Sequence, residues 1–219
     1  MAPRCRDYLF TENQGADIII RTDLYNPKKY QENISAEQLA YMESGRQFSA
    51  KLLEYDGFYI HASAVELDGR AYLFSAPSGT GKSTHTRLWQ MLFGNKAQVF
   101  NDDKPALRRI DGVWYAYGTP WCGKDGINQN KRVPVAGICF LKQAKENRIR
   151  RLSNQEILSR IISLTIYRFT NPEKLNLLLS HLSKLLVEIP CFELENRPEP
   201  EAAQLSYETM RRVAEEMGL

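Results

Sequence analysis

The sequence lacks a dominant charge sign. Its 219 residues carry 29 Lys and Arg against 26 Asp and Glu, a formal net charge of +3. Nucleic-acid binders gather basic residues into runs, and none occurs here, so nucleic acid is not expected as a partner. No apolar stretch approaches the length needed to cross a bilayer, which argues against a membrane partner. The opening residues carry charge at Arg4, Arg6 and Asp7 and lack the apolar centre of a signal peptide, so the expected location is cytoplasmic. Cysteine is sparse. Cys5, Cys122, Cys139 and Cys191 lie far apart with no C-x-x-C pair, which disfavours zinc and implies no disulfide framework. Internal repeats and low-complexity tracts are absent too. What remains is the composition of an ordinary globular protein, 43% hydrophobic and 25% charged, at a length that suits one large domain or one domain with an appendage.

Within that ordinary background one stretch stands out, Ala71 to Thr84, reading AYLFSAPSGTGKST. An apolar run enters a turn rich in Gly and Pro, and a helix follows. The pattern is close to G-x-x-x-x-G-K-[ST], in which backbone N–H groups wrap a nucleotide's phosphates, the Lys reaches the β- and γ-phosphates, and the hydroxyl completes a Mg²⁺ shell. Ala76 stands where the pattern has its first glycine, which is tolerable if φ there is negative. The candidate phosphate cradle is Ser78, Gly79, Thr80, Gly81, Lys82, Ser83 and Thr84, and the expected ligands are ATP and Mg²⁺. A helix beginning near Lys82 would aim its N-terminal dipole at the anion.

Taken in order, the chain suggests edge strands at Tyr8 to Phe10 and Ala16 to Ile20, then a helix opened by Ser35 and Gln38 and running through Leu53. Phe58 to Val65 alternates like a strand, Asp68-Gly69 is a hairpin turn, and Arg70 to Ser75 returns, placing His61 on the first arm. The helix from Thr84 to Phe93 is followed by a short strand, Ala97 to Phe100, that ends in Asn101, Asp102 and Asp103. An acid there can hold a metal whose other side is held by phosphates, while a second takes a proton from an attacking hydroxyl. A βαβ crossover would bring the two strand ends together. Asp111-Gly112 joins two further strands. The polar loop Gly118 to Arg132 carries Trp121, Lys124, Lys131 and Arg132, whose cations could meet phosphate or an acidic acceptor and whose indole could stack on a base, close a lid or serve as a packing anchor. Val133 to Leu141 reads as a buried strand paired with Arg148 to Leu152. Helices at Asn154 to Ile166 and Pro172 to Leu186, a strand at Val187 to Leu194 and a helix at Glu199 to Met217 complete the chain. The expected organisation is 1–55 as N-terminal strands and a helix packed on the core, 56–153 as the core, and 154–219 as C-terminal helices plus one strand, all in one compact domain.

His61 before the loop strand, APSGTGKST, and a short helix leading directly to NDD together resemble the catalytic domain of bacterial HPr kinase/phosphorylase, whose P-loop fold is shared with phosphoenolpyruvate carboxykinases. The resemblance is specific over His61 to Leu107 and extends to Leu152. It implies an α/β fold, a mixed sheet with flanking helices and a C-terminal helical part. It implies a serine kinase that transfers the γ-phosphate of ATP, with Mg²⁺, to a protein or peptide. By position it assigns Lys82 to the β- and γ-phosphates, Ser83 to Mg²⁺, Asp102 and Asp103 to the family's paired acids, one of which is the general base, and His61 to a place beside the acid or the γ-phosphate. The resemblance does not order the two acids; Asp103 is taken here as the base and Asp102 as the metal ligand. Full-length relatives form hexamers, so the resemblance admits a homo-oligomer. The family's separate N-terminal domain and its phosphorylase signature loop have no counterpart here, and the likeness is closer to short HPr kinase-related proteins, including kinases of ribosomally made peptides. A small-molecule kinase on the same scaffold and a nucleotide-binding regulatory module without transfer chemistry are the alternatives. A carboxykinase would need a second metal with extra His and Lys ligands, hard to build from 3 histidines.

Overall fold

The computed structural model describes residues 2–9, 15–21, 34–77, 79–165 and 171–219. Ser78, Phe10, the proline-containing loop Asn26 to Lys29, and Ile166 therefore lie outside the described residues. The strands are β1 (Gly57–Tyr59), β2 (Ala62–Leu67), β3 (Arg70–Ser75), β4 (Gln98–Asp103), β5 (Ala106–Ile110), β6 (Val113–Tyr117), β7 (Arg132–Gln143), β8 (Arg148–Arg151) and β9 (Cys191–Asn196). The helices are α1 (Ala2–Cys5), α2 (Ala36–Leu52), α3 (Lys82–Phe93), α4 (Asn154–Leu164), α5 (Pro172–Glu188) and α6 (Pro200–Glu216).

β7 organises the mixed sheet. Opposite β3, with which it runs parallel, it pairs first with β6 and then with β9. The order is β1-β5-β6-β7-β3-β2-β4, with β9 and β8 branching from β7. A strand shared between successive partners curls the sheet. Because side chains alternate along a strand, Leu73 and Ile138 enter one core with Ile157, Ile161, Leu178 and Leu182 of α4 and α5. Tyr72, Phe74 and Cys139 enter the other, with Leu88 and Trp89 of α3 and Met210 of α6. Helices thus cover both faces. Each of these large apolar side chains contributes about 1.5–3 kcal/mol on burial.

Both hairpin turns form as their sequences suggest. Asp68 and Gly69 have φ of 52° and 74°, and Asp111 and Gly112 of 49° and 86°, the paired positive angles that match strand twist in a two-residue connection. α2 opens with Ser35 and Gln38 in a reciprocal capping box, although Met42, read as part of its apolar face, is 48% exposed.

Several expectations need correction. Among the described residues no strand forms in 1–55: Arg6–Tyr8 is a 3₁₀ turn and 15–21 pairs with no strand. Side chains bond part of that segment's backbone instead, and Ile20 packs against the cluster of Leu52, Tyr59 and Trp121. The Asp17 carbonyl accepts from Tyr55, the Ile19 carbonyl from Lys51, and Arg21 exchanges two bonds with the Gln47 amide. Phe58 to Val65 is two strands rather than one. The chain breaks at Ile60-His61, so that β1 pairs with β5 and β2 with β3 and β4. Arg148 to Arg151 pairs with β9, which lies between it and β7. α5 runs on to Glu188, past the expected start of the last strand.

Candidate active site

β2 lies between β3 and β4 and is antiparallel to both, so the loop strand and the acid-bearing strand end at the same edge of the sheet. Ser63 pairs across the sheet with Phe74 on one side and Asp102 on the other, and Ala62 with Asp103. The expected crossover therefore forms with one strand between its two parallel arms. That inserted strand delivers His61 to the gap between loop and acids.

His61 sits in the bend just before β2 rather than on a strand. Its backbone is held at both ends, the N–H donating to the Leu164 carbonyl (2.8 Å) and the carbonyl accepting from the Ser75 hydroxyl (2.7 Å). Its Nε2 lies 3.0 Å from Lys82 Nζ and 2.8 Å from Asp103 Oδ1. An ammonium only donates and a carboxylate only accepts, so one ring nitrogen serves one of them at a time. The tautomer of His61 decides which.

The loop has the backbone its sequence requires. Gly79 and Gly81 adopt φ of 79° and 110°, while Ala76 is not among the positive-φ residues. Among the described residues no side chain caps α3 at Gly81, and the unpaired N–H groups of a helix start are the kind that can receive an anion. Gly79, Gly81, Lys82, Ser83 and Thr84 line a cavity of about 540 Å³ together with His61, Asp102 and Asp103. Thr80, between Gly79 and Gly81, does not itself line it; its N–H donates to the Pro77 carbonyl.

The two acids differ in their surroundings. Asp102 is buried, with Oδ1 accepting from the Ser63 hydroxyl. Asp103 ends β4 with φ of 93°, a strained angle for a residue with a Cβ, costing about 1–3 kcal/mol. The turn is held by Asn101, whose Oδ1 accepts from the Lys104 N–H and whose Nδ2 donates to the Thr119 carbonyl. Burial pushes the Asp103 carboxyl upward, but the His61 hydrogen bond and the Lys104 charge outweigh it and hold the group at about 2. Asp103 is ionised at neutral pH.

The polar loop between β6 and β7 runs back along β4. The Asp102 N–H donates to the Ile127 carbonyl, the Gln129 N–H to the Phe100 carbonyl, and the Gly123 N–H to the Asp102 carbonyl. This pairing lays Gly123, Lys124 and Asp125 over the cavity, where all three line it. A Cβ on Gly123 would lie 3.3 Å from Asp102 Oδ2. Asp125 faces Arg87 of α3 at 3.7 Å across the mouth.

Of the residues expected to meet substrate, only Lys124 reaches this cavity. Trp121 is buried, stacked on Phe48 with ring centroids 4.9 Å apart, its Nε1 donating to the Tyr41 carbonyl and Ser44 hydroxyl. That indole has no free face for a base. Arg132 opens β7 with its guanidinium 5.2 Å from the centre of the Tyr115 ring, and Lys131 pairs with Glu66. Both belong to the sheet surface. Ser63, Lys104 and Gly123 were missed by the sequence reading. Ser63 lies two residues after His61 and Lys104 directly follows the acid pair, so the sequence sets both beside candidate residues. Gly123 carried none, because its place depends on the loop's return along β4.

The four cysteines are free thiols. Among the described residues no group of three or more His, Cys, Asp or Glu converges to hold a metal by itself, and no helix is long and apolar enough to cross a membrane.

No protein-family model matches the chain, and no curated protein sequence does. Solved structures do match, among them the Hpr(Ser) kinase/phosphatase from Coxiella burnetii, with 13% identity, coverage of 73% of this chain and 92% of that one, and a TM-score of 0.44. At that score and identity the likeness decides nothing about the site.

Proposed function

We propose that this chain is an ATP- and Mg²⁺-dependent phosphotransferase of HPr kinase-like type, which moves the γ-phosphoryl group onto a serine hydroxyl of a protein or peptide. One observation carries the reading. The uncapped start of α3, Lys82 and an ionised carboxylate beside a histidine share one cavity. A phosphate cradle alone describes a binding module. A carboxylate across the same cavity adds the place where a hydroxyl can lose its proton.

In this reading the N–H groups of Gly79 to Thr84 and the Lys82 ammonium hold the phosphates. Once Lys82 turns to them, His61 Nε2 is released to donate to Asp103 alone. Asp103 orients the acceptor hydroxyl and takes its proton. A carboxylate at about 2 is a weak base, yet the loose transition state of phosphoryl transfer asks mainly for positioning and charge neutralisation. Ser83 and the Asp102 oxygen not bonded to Ser63 would hold Mg²⁺. The absence of a protein-only metal cage among the described residues suits a cation that shares its shell with phosphates and water. When bound, Mg²⁺ supplies charge neutralisation at the phosphates.

The test follows label from γ-labelled ATP into protein, peptide and small-molecule fractions of source lysate. Lys82→Ala should abolish transfer. Asp103→Asn should bind nucleotide within about twofold of the parent while transfer falls by roughly 10²-fold or more. Label confined to a small molecule would replace the serine reading with metabolite phosphorylation. Full turnover by Asp103→Asn would remove Asp103 as the base.

A further inference from the structure

Asp103 borders a second cavity besides the one beside α3. Asp103, Gly123 and Lys124 form a partition, and beyond it a cavity of about 780 Å³ opens under the N-terminal half of α2. Its walls include Arg4, Glu37, Tyr41, Met42 and Lys104. The guanidinium of Arg4 and the ammonium of Lys104 lie 4.9 Å and 5.8 Å from the centre of the Tyr41 ring. Arg4 donates to the Cys122 carbonyl at 3.1 Å and has no carboxylate partner among the described residues. Lys124 has none either. Arg4 holds its remaining donors in a planar fork suited to a carboxylate.

Resting on the phosphotransferase reading, we infer that this second cavity receives the acceptor, and that the acceptor is a peptide segment with an acidic side chain close to its serine. The hydroxyl enters from the α2 side and meets Asp103 at the partition, opposite the phosphates. The serine Oγ bonds to the γ-phosphorus as the bond from that phosphorus to the β–γ bridging oxygen breaks. The hydroxyl proton passes to Asp103, and ADP is the leaving group. A neighbouring carboxylate on the peptide reaches Arg4. Glu37, Gln38 and Met42 expose one wall to solvent. Sites for free small molecules enclose most of their ligand, whereas a wall of exposed helix lets a chain continue past it. The cations that select the acceptor therefore come from α1 and from the loop between β6 and β7, since Lys104 is already paired with Asp103 at 3.3 Å, and the basic pair Lys131-Arg132 takes no part.

The test uses fluorescein-labelled peptides that carry one Ser flanked by Glu, by Gln or by Lys, with anisotropy as the readout. The Glu peptide should bind the wild-type chain about tenfold more tightly than the Gln peptide. Arg4→Glu should erase that preference, Arg4→Lys should keep only the part that the charge supplies without the fork, and neither should change the affinity for a fluorescent ADP analogue. Glu37→Lys, an exposed helix substitution, should tighten the Glu peptide by a few fold. Equal binding of the three peptides, or a preference unmoved by Arg4→Glu, overturns the inference even if transfer from ATP is observed. Label passing only to a small hydroxy compound, with no peptide bound, also overturns it. Selective binding of the Glu peptide without transfer upholds the groove and defeats the phosphotransferase reading.

Discussion

His85 lies on α3 three residues after Lys82, and its ring turns away from the cavity into the core. Its Nε2 bonds to the Ser206 hydroxyl at 3.1 Å, and that hydroxyl also accepts from Trp89 Nε1 and donates to the Ala203 carbonyl. With its single proton given to Ala203, Ser206 can only accept from the ring, so His85 carries its proton on Nε2. Burial lowers its pKa from 6.5 to about 4. The unfolded chain therefore binds a proton between pH 6.5 and 4 while the folded chain does not. Stability is intact above pH 6.5 and falls as pH drops toward 4, by about 3 kcal/mol from this group. Asp103, held at about 2 from an ordinary 3.8, adds stability that is present above 3.8 and lost only as pH falls toward 2. Denaturation midpoints at pH 7 and 4.5 separate the two. His85→Gln, which keeps a donor for Ser206, should lose markedly less stability over that interval than the parent. Equal losses would mean that His85 is not the titrating group.

At the scale of elements, the loop between β6 and β7 carries the far wall of the candidate site, and its position is set from outside the loop. Trp121 ties it to α2, filling the space over Gly45, where an added Cβ would fall 2.8 Å from the indole. At the start of the loop, Gly118 lets it close, since a Cβ there would meet the Gln129 carbonyl oxygen at 1.9 Å. Trp121→Ala should cost about 3–5 kcal/mol in stability through the cavity it leaves. It should also weaken acceptor use more than nucleotide binding, because Gly123 and Lys124 lie two and three residues beyond it while the α3 cradle is anchored elsewhere. Urea melts and separate affinities for ADP and acceptor check this. A large stability loss with both affinities unchanged would show that the loop holds its course along β4 without the anchor.

Over the whole molecule, the sheet around β7 and the N-terminal layer are held by different forces. β3, β7 and β9 pair by backbone ladders between two apolar cores. Residues 15–21 have no ladder and are fastened by the side chains of Gln47, Lys51 and Tyr55, in bonds exposed to solvent. Hydrogen exchange should be slowest at Leu73, Ile138 and Cys139 and fastest, among the described residues, across 15–21. Protection of 15–21 comparable to β7 would mean that this layer opens only with global unfolding.

The residues also divide by how they could be read. Local patterns were legible in the chain: the glycine turn before Lys82, the capping box at Ser35, the Asp-Gly hairpins, and the apolar strand leading to Asp102 and Asp103. Each depends on φ preferences or on side-chain periods within a few residues, so the sequence alone carries it. Trp121, Lys131 and Arg132 looked like ligands because their types suit ligands. Type says nothing of direction, and α2 and the sheet surface claimed them. The break at His61, the insertion of β2 between β3 and β4, and the return of the 118–131 loop along β4 were decided only in three dimensions. Strand partners are chosen by long-range pairing and by competition for shared cores, a free energy that belongs to the assembled sheet and to no segment of it. The sequence by itself determined the glycine turn before Lys82 and the acid pair, and the tertiary structure decided that they face each other across one cavity and that Asp103 borders a second.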